Sequence, residues 1–413
     1  MAEQPRVAIV VPALSARGGL ASVALFVYRV LRQSGRYEPH LISLATSSTD
    51  PNSVRLLAPH TWRRGVRITS ERLEEIPYTH VGTAGAELEP LRYRPRPALT
   101  SLLSSYDVVQ IVAGSPALTH VARRVRRPVA LQCATMVAVE RKALLRGWGL
   151  VTLWRRVMTA LVSHMDRSGL RHADVVLVEN RWMRDLVAST LGPARVRFHP
   201  PGVDTAVFTP PVEDSATDMI LAVGRLDDPR KNIPMLLEAF ALVRRHRPNA
   251  QLVLAGERPP PERVLEIASR LGIADAVHLR LALSSEDLAR LYRSATVLAL
   301  SSDEEGLGIV ILEAMASGVP AVCTRCGGPE TSVVDGVTGF LVPIADTTAF
   351  ANRLVTLLSN RSLRDAMGRA SRSHVEQHFS LAATGQAFVD TYDELLHLSS
   401  PGREAATGTH GAE

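Results

Sequence analysis

Two carboxylates, Glu305 and Glu313, stand eight positions apart in the run Ser302-Asp-Glu-Glu-Gly-Leu-Gly-Ile-Val-Ile-Leu-Glu-Ala-Met-Ala-Ser-Gly-Val-Pro320. The run follows an apolar strand pattern and predicts a helix opening near Gly306. On a helix that spacing is about 80° of rotation and roughly 12 Å of rise. Glu305 would then sit at the helix entrance and Glu313 two turns along. Such a pair suits one ligand with two hydroxyl-bearing rings and phosphates between them. Free N–H groups and the positive helix end favour a diphosphate there, with the Gly306-Leu307-Gly308 backbone close beside it. The same residues would also make the acidic first turn of an ordinary capped surface helix.

A second group lies upstream. Gly224-Arg225-Leu226 ends a strand pattern, and Lys231 follows six positions after Arg225, before a helix. Two cations at a strand's carboxyl end can neutralise a pyrophosphate without a metal; a glycine turn with basic surface residues is the plainer alternative. Gly327-Gly328-Pro329-Glu330 opens a further helix, and Gly18-Gly19 opens one near the amino terminus. Asp227-Asp228 reads as a solvated pair. Cys323 and Cys326 form a lone C-x-x-C among three cysteines, with no second pair or nearby histidines, so no metal or disulfide framework is expected.

The elements that must position these groups alternate strand and helix along the whole chain. Arg6–Val11, His40–Leu44, Asp107–Val112, Pro128–Gln132 and Asp174–Val178 predict one parallel sheet. Met219–Val223, Gln251–Ala255, Val277–Leu279, Thr296–Leu300 and Pro320–Cys323 predict a second. The fold class is α/β: two doubly wound Rossmann-like domains facing a central cleft, where the carboxyl ends of the strands present ligand sites. At 413 residues, 46% hydrophobic, the chain has material for two cores. The expected division is an acceptor-binding domain over 1–205, a nucleotide-sugar-binding domain over 206–380, a helix over 381–398 crossing back to the first domain, and a disordered tail over 399–413. Pro200-Pro201-Gly202 marks the linker, and Pro90–Pro97 reads as an Arg/Pro loop.

The pattern Glu-Gly-Leu-Gly-x4-Glu-Ala-Met-Ala-x-Gly-x-Pro, together with Gly-Arg-Leu and the later lysine, closely resembles the signature of family-4 retaining glycosyltransferases of the GT-B fold. The resemblance is strong from Met219 to Pro343 and weaker before. It implies that Glu305 contacts the transferred sugar, Glu313 the nucleotide ribose, and Arg225 and Lys231 the diphosphate. It also places Gly327, Gly328 and Glu330 beside the donor, and Gly18 and Gly19 near its phosphates. Glu330 stands one position earlier than in the family's Gly-Gly-x-x-Glu, and Pro201 replaces the asparagine of an Asn-Gly-Val-Asp hinge. The histidine often found near the cleft is missing: Asp107-Val-Val-Gln-Ile-Val-Ala-Gly and Pro128-Val-Ala-Leu-Gln-Cys-Ala-Thr135 contain none. Gln110, Ser115, Cys133 and Thr135, expected at the cleft-facing strand ends, offer no base. His120 falls inside an apolar helical pattern and reads as core.

The implied activity is retaining, metal-independent transfer of a hexose-type sugar from a UDP- or GDP-sugar to an unidentified acceptor: a glycan, a lipid carrier or a small natural product. No cofactor beyond the donor is expected. The alternatives are a sugar-nucleotide-binding protein without turnover and a glycosyl phosphorylase. A net charge of +6 suits anionic partners, but no nucleic-acid motif is present. The apolar run at the amino terminus is too short for a signal peptide or a membrane span, so a cytoplasmic location is expected. The 141–171 segment, rich in arginine and carrying Trp148 and Trp154, reads as a helix covering the first sheet and facing the acceptor cleft; the alternative is peripheral contact with the inner face of a membrane.

Overall fold

The computed structural model describes residues 4–14, 19–73, 75–145, 147, 149–211 and 218–398. Gly18, Trp148 and the 399–413 tail lie outside the described residues.

The first sheet contains β1 (Arg6–Pro12), β2 (Glu38–Leu44), β3 (Ile68–Leu73), β4 (Ile76–Val81), β5 (Val108–Ala113), β6 (Val129–Cys133), β7 (Val175–Val178) and β8 (Val196–Phe198). The second contains β9 (Met219–Val223), β10 (Gln251–Gly256), β11 (Val277–Leu281), β12 (Val297–Leu300), β13 (Ala321–Thr324) and β14 (Gly339–Val342). Their orders are β3-β4-β2-β1-β5-β6-β7-β8 and β11-β10-β9-β12-β13-β14. Every pairing is parallel except the β3–β4 hairpin at the first sheet's edge. Each order reverses once, between β1 and β5 and between β9 and β12. Those two points open the crevices at the strands' carboxyl ends where doubly wound sheets take ligands.

Both faces of the first sheet are buried, which explains its continuous apolar runs. Along β1, Val7, Ile9 and Val11 pack on one face with Phe26 and Phe388. Ala8 and Val10 pack on the other with Leu99 and Leu103. Phe388 belongs to the Leu381–Leu398 helix, which follows the second domain yet covers the first. Two chain segments therefore cross between domains side by side: Val203 N donates to Phe379 O at 2.7 Å. Gly202 is needed at that crossing, because a Cβ there would lie 2.6–2.8 Å from Thr384 Oγ1, Phe379 O and Ser380 O.

The Pro90–Pro97 stretch is not a plain loop: it holds the end of a short Glu89–Arg92 helix and the start of Pro97–Ser104, each opening with proline in its first turn. Gln110 is not at the cleft. Its position in β5 turns it into the core, where Tyr392 O–H donates to its Oε1 at 2.6 Å.

Candidate functional site

The loops leaving β9 and β12 meet at the second sheet's switch point. After β9 the chain turns through Gly224 into a short 3-10 turn, Pro229–Lys231. Asn232 then takes a left-handed conformation and caps the Ile233–His246 helix, its Oδ1 accepting from Met235 N at 3.3 Å. Its amide donates to Asp303 Oδ1 at 2.9 Å, and Ser301 Oγ donates to Lys231 O at 2.8 Å. These bonds stitch the two loops together and fix where Lys231 points.

Lys231 Nζ forms an ion pair with Glu305 Oε1, and Ser302 Oγ donates to the same oxygen at 2.7 Å. Both partners are mostly buried, with side-chain exposures of 16% and 12%. Arg225 is open to solvent and pairs with Asp228 Oδ2 at 3.0 Å. Asp227 pairs instead with Arg258 at 3.1 Å, so the adjacent aspartates hold separate arginines. Among the described residues no group of three His, Cys, Asp or Glu side chains is arranged to hold a metal ion. All three cysteines are buried free thiols, and burial raises the pKa of each.

The helix expected to open near Gly306 begins later, at Ile309–Ala316. Gly308 is left-handed (φ 78°) and stands just before it. Glu305 therefore lies in a loop upstream of the helix, its N–H donating to Cys326 O at 3.3 Å. The helical rise and rotation inferred for the Glu305–Glu313 pair do not apply. Glu313 sits on the second turn, almost fully buried, with Tyr292 O–H donating to its Oε2 at 2.8 Å. Burial pushes its carboxyl up to about 7, against the pull of that hydrogen bond.

The Gly327–Glu330 turn packs behind Glu305. Glu330 Oε2 accepts from Gly327 N at 2.9 Å, and a Cβ on Gly328 would come within 2.8–2.9 Å of the Leu307 backbone. Gly306 is required for a reason absent from the motif: a Cβ there would lie 2.5 Å from Ala134 Cβ at the end of β6 in the first domain. Asn180, after β7, completes the contact, its Nδ2 donating to Ala134 O at 3.0 Å and Gly306 O at 2.6 Å. Gly19, the first residue of the Gly19–Ser34 helix, has open space above it.

Sequence reasoning passed over several residues here. Arg230 gathers three carboxylates: Asp228 and Glu304 from its own domain, at 2.8 and 2.6 Å, and Glu140 of the first domain at 3.0 Å. Burial works against its charge, yet these partners hold its pKa above the ordinary guanidinium value. Asp166 is fully buried on the Leu150–His172 helix. It accepts from Ser115 Oγ, from Ala117 N at 3.0 Å and from Val137 N at 2.9 Å, so it ties together the loops leaving β5 and β6. Glu179 directly follows β7; burial pushes it up to about 7, and Gln132 Nε2 donates to it at 3.3 Å. Glu179 stands at a strand end that the sequence reading did not consider, and at 4% exposure it is closed off from the cleft. Its place at a strand's carboxyl end was the signal that could have found it. His120 is buried, with Nε2 2.8 Å from Ser168 Oγ, and burial lowers its pKa.

Two facing Rossmann-like domains with the site between them define the GT-B fold. Solved structures agree over nearly the whole chain. Sucrose-phosphate synthase from Thermosynechococcus elongatus superposes with a TM-score of 0.69 at 19% identity, covering 96% of this chain and 100% of that one. Anabaena HepE in complex with UDP-glucose gives 0.69 at 16% identity, covering 94% and 99%. Residues 206–374 match the family model described as glycosyl transferases group 1. Among curated relatives, a GDP-mannose-dependent alpha-(1-6)-phosphatidylinositol monomannoside mannosyltransferase of Mycolicibacterium smegmatis is 36% identical over 218 residues, 48% of this chain and 57% of that protein. A D-inositol 3-phosphate glycosyltransferase of Segniliparus rotundus is 33% identical over 217 residues, 49% and 48%. The matched stretch spans about half the length of these curated relatives.

Proposed function

We propose that the chain is a retaining glycosyltransferase that moves a hexose-type sugar from a UDP- or GDP-sugar to an acceptor hydroxyl without a metal ion. The observation that carries this reading is the Lys231–Glu305 pair at the second domain's switch point, with Arg225 exposed beside it. A donor diphosphate would lie against Arg225, Lys231 and the first turn of the Ile309–Ala316 helix, where cations and free N–H groups replace a metal. Glu305, released from Lys231 by the phosphate, would turn to the sugar, and Glu313 would accept from ribose hydroxyls. Gly327, Gly328 and Glu330 shape the turn behind Glu305, and Gly19 would face the phosphates from the first domain.

In the transfer step the bond between the anomeric carbon and the phosphate oxygen breaks, its electron pair leaving with the nucleotide. The acceptor oxygen bonds to that carbon on the same face, and its proton passes to the departing phosphate. Negative charge growing there is stabilised by Arg225 and Lys231. This route suits a cleft where Glu179 is sealed off and His120 is core. An acceptor carried on a lipid would be met at a bilayer, through the 141–171 segment; a soluble glycan or small natural product needs no such contact.

The test is transfer from a panel of UDP- and GDP-sugars in EDTA, with the product's anomeric coupling constants read by NMR. An α-linked product from an α-linked donor is expected, with slow release of free sugar when no acceptor is present. A β-linkage, or complete loss in EDTA restored by Mn²⁺ or Mg²⁺, overturns the mechanism. Donor binding without turnover of any kind would instead mark a sugar-nucleotide-binding protein.

A further inference from the structure

The Leu150–His172 helix has two different buried and exposed faces. Thr159, Val162, Asp166 and Gly169 face the first domain. Gly169 allows close contact, since a Cβ there would lie 2.3 Å from Pro116 O. On the outward side, Leu150 is 86% exposed, Val151 64%, Leu153 58%, Trp154 53%, Val157 46% and Leu161 48%. Leu150, Trp154, Val157 and Leu161 recur at intervals of three and four, one stripe about 16 Å long. Single exposed leucines are ordinary, but a contiguous stripe of this kind marks a contact surface.

The charge around the stripe decides what it contacts. Arg155, Arg156, Arg167 and Arg171 are exposed along the helix, and its one acidic residue, Asp166, is fully buried. The outward surface of the helix is thus apolar and basic with no negative charge. A second copy seated face to face would set these arginines against their own equivalents, which is unfavourable. No described helix is long and apolar enough to cross a membrane. A helix with this pattern lies in the plane of an interface, apolar stripe down and arginines on the headgroups.

We propose that the outward face of the Leu150–His172 helix is a docking surface for an anionic lipid bilayer, seating the mouth of the cleft against the membrane. The helix is joined to that mouth at two places. The segment before it carries Glu140, which reaches Arg230 across the cleft at 3.0 Å. Asp166, on its inward face, holds the loops leaving β5 and β6. A helix lying on a bilayer thereby fixes the acceptor side of the site beside lipid headgroups, and the acceptor it serves is lipid-borne. That last step rests on the transferase reading; the docking does not.

The experiment is flotation of the full chain with vesicles of phosphatidylcholine alone and of phosphatidylcholine with phosphatidylglycerol, at low and high salt. Binding is expected only to the anionic vesicles, weakening with salt. The exposed-site variant Leu150→Asp/Val157→Asp should lose about tenfold in vesicle affinity while binding nucleoside diphosphate by calorimetry as the parent does. Absence of flotation with anionic vesicles, or unchanged flotation of the double variant, overturns the proposal. A dimer in light scattering that the same variant dissolves would assign the face to a second copy instead. Failure of the parent to bind nucleotides would sink the transferase reading and leave the docking result standing.

Discussion

Lys231 and Glu305 neutralise one another in an ion pair. On the proposed reading a diphosphate takes Lys231 from that carboxylate as it binds, so the two residues act in opposite directions on a ligand without a sugar. Glu305→Gln should raise affinity for a free nucleoside diphosphate several-fold while lowering turnover by orders of magnitude. Lys231→Ala and Arg225→Ala should each weaken donor binding by one to two decades, in line with about 1.5–3 kcal/mol for a charge-assisted hydrogen bond. Calorimetry on the three variants decides it: unchanged donor binding in both alanine variants would remove these residues from the phosphate site. Glu313 gives a second, pH-dependent test. Its carboxyl is pushed up to about 7 by burial, so it is largely protonated at about pH 6 and largely ionised at about pH 8. The ionised form accepts more strongly from ribose hydroxyls, so affinity for a nucleotide sugar should rise several-fold over that window. Stability runs the other way: the folded state holds this proton where an unfolded glutamate has lost it, so this contribution declines as pH rises from about 4.5 to about 7. Glu313→Gln should flatten both profiles. A donor affinity that stays constant with pH in the parent would exclude ribose contact through this group.

At the scale of elements, the central strands were legible because both faces of each sheet are buried, which leaves unbroken apolar runs such as Val7 to Val11. The β3–β4 hairpin was not, because an edge is half solvated: Ile68–Leu73 reads Ile-Thr-Ser-Glu-Arg-Leu and resembles a loop. β8 is too short to show a period. The site's strand and loop order was readable in the second domain, where Gly224, Lys231, Glu305 and the Gly327 turn all follow strand ends. The start of the Ile309–Ala316 helix was misplaced because Glu-Glu-Gly looks like a capped first turn, whereas Gly308, in a left-handed conformation, stands just before the helix. Side-chain direction in a fully buried strand has no sequence signal either, so nothing in the β5 pattern shows that Gln110 turns into the core, where Tyr392 holds it. The contacts of Arg230 were invisible for a different reason: its partners lie up to ninety residues away in sequence, and one belongs to the other domain.

At the scale of the whole molecule, the two domains touch where Gly306 lies against Ala134, with no room for a Cβ on the glycine. Asn180 bridges the backbone carbonyls of both residues, while Glu140 and Arg230 form a second link across the cleft. The charged groups proposed to hold the donor, Arg225, Lys231 and Glu313, belong with the Ile309–Ala316 helix to the second domain, and Gly19 would add only backbone from the first. On the proposed reading the acceptor approaches from the first. Widening the gap should therefore spare donor binding and damage transfer. Gly306→Ala does this directly, because its Cβ would stand 2.5 Å from Ala134 Cβ, well inside the 3.5–4.0 Å contact distance of two carbons. The domains would part by about 1 Å, a displacement that can cost about a hundredfold in rate when reacting groups lose alignment. Donor affinity of Gly306→Ala should stay within a few-fold of the parent, since Arg225, Lys231 and Glu313 move together with the second domain. Ala134→Gly removes the opposing methyl, so the double variant should recover most of the lost turnover. Recovery separates a steric spacing effect from damage to the neighbouring Glu305, which Ala134→Gly could not repair. Full activity in Gly306→Ala alone would mean that transfer proceeds from a wider cleft, with this contact made only in the resting protein.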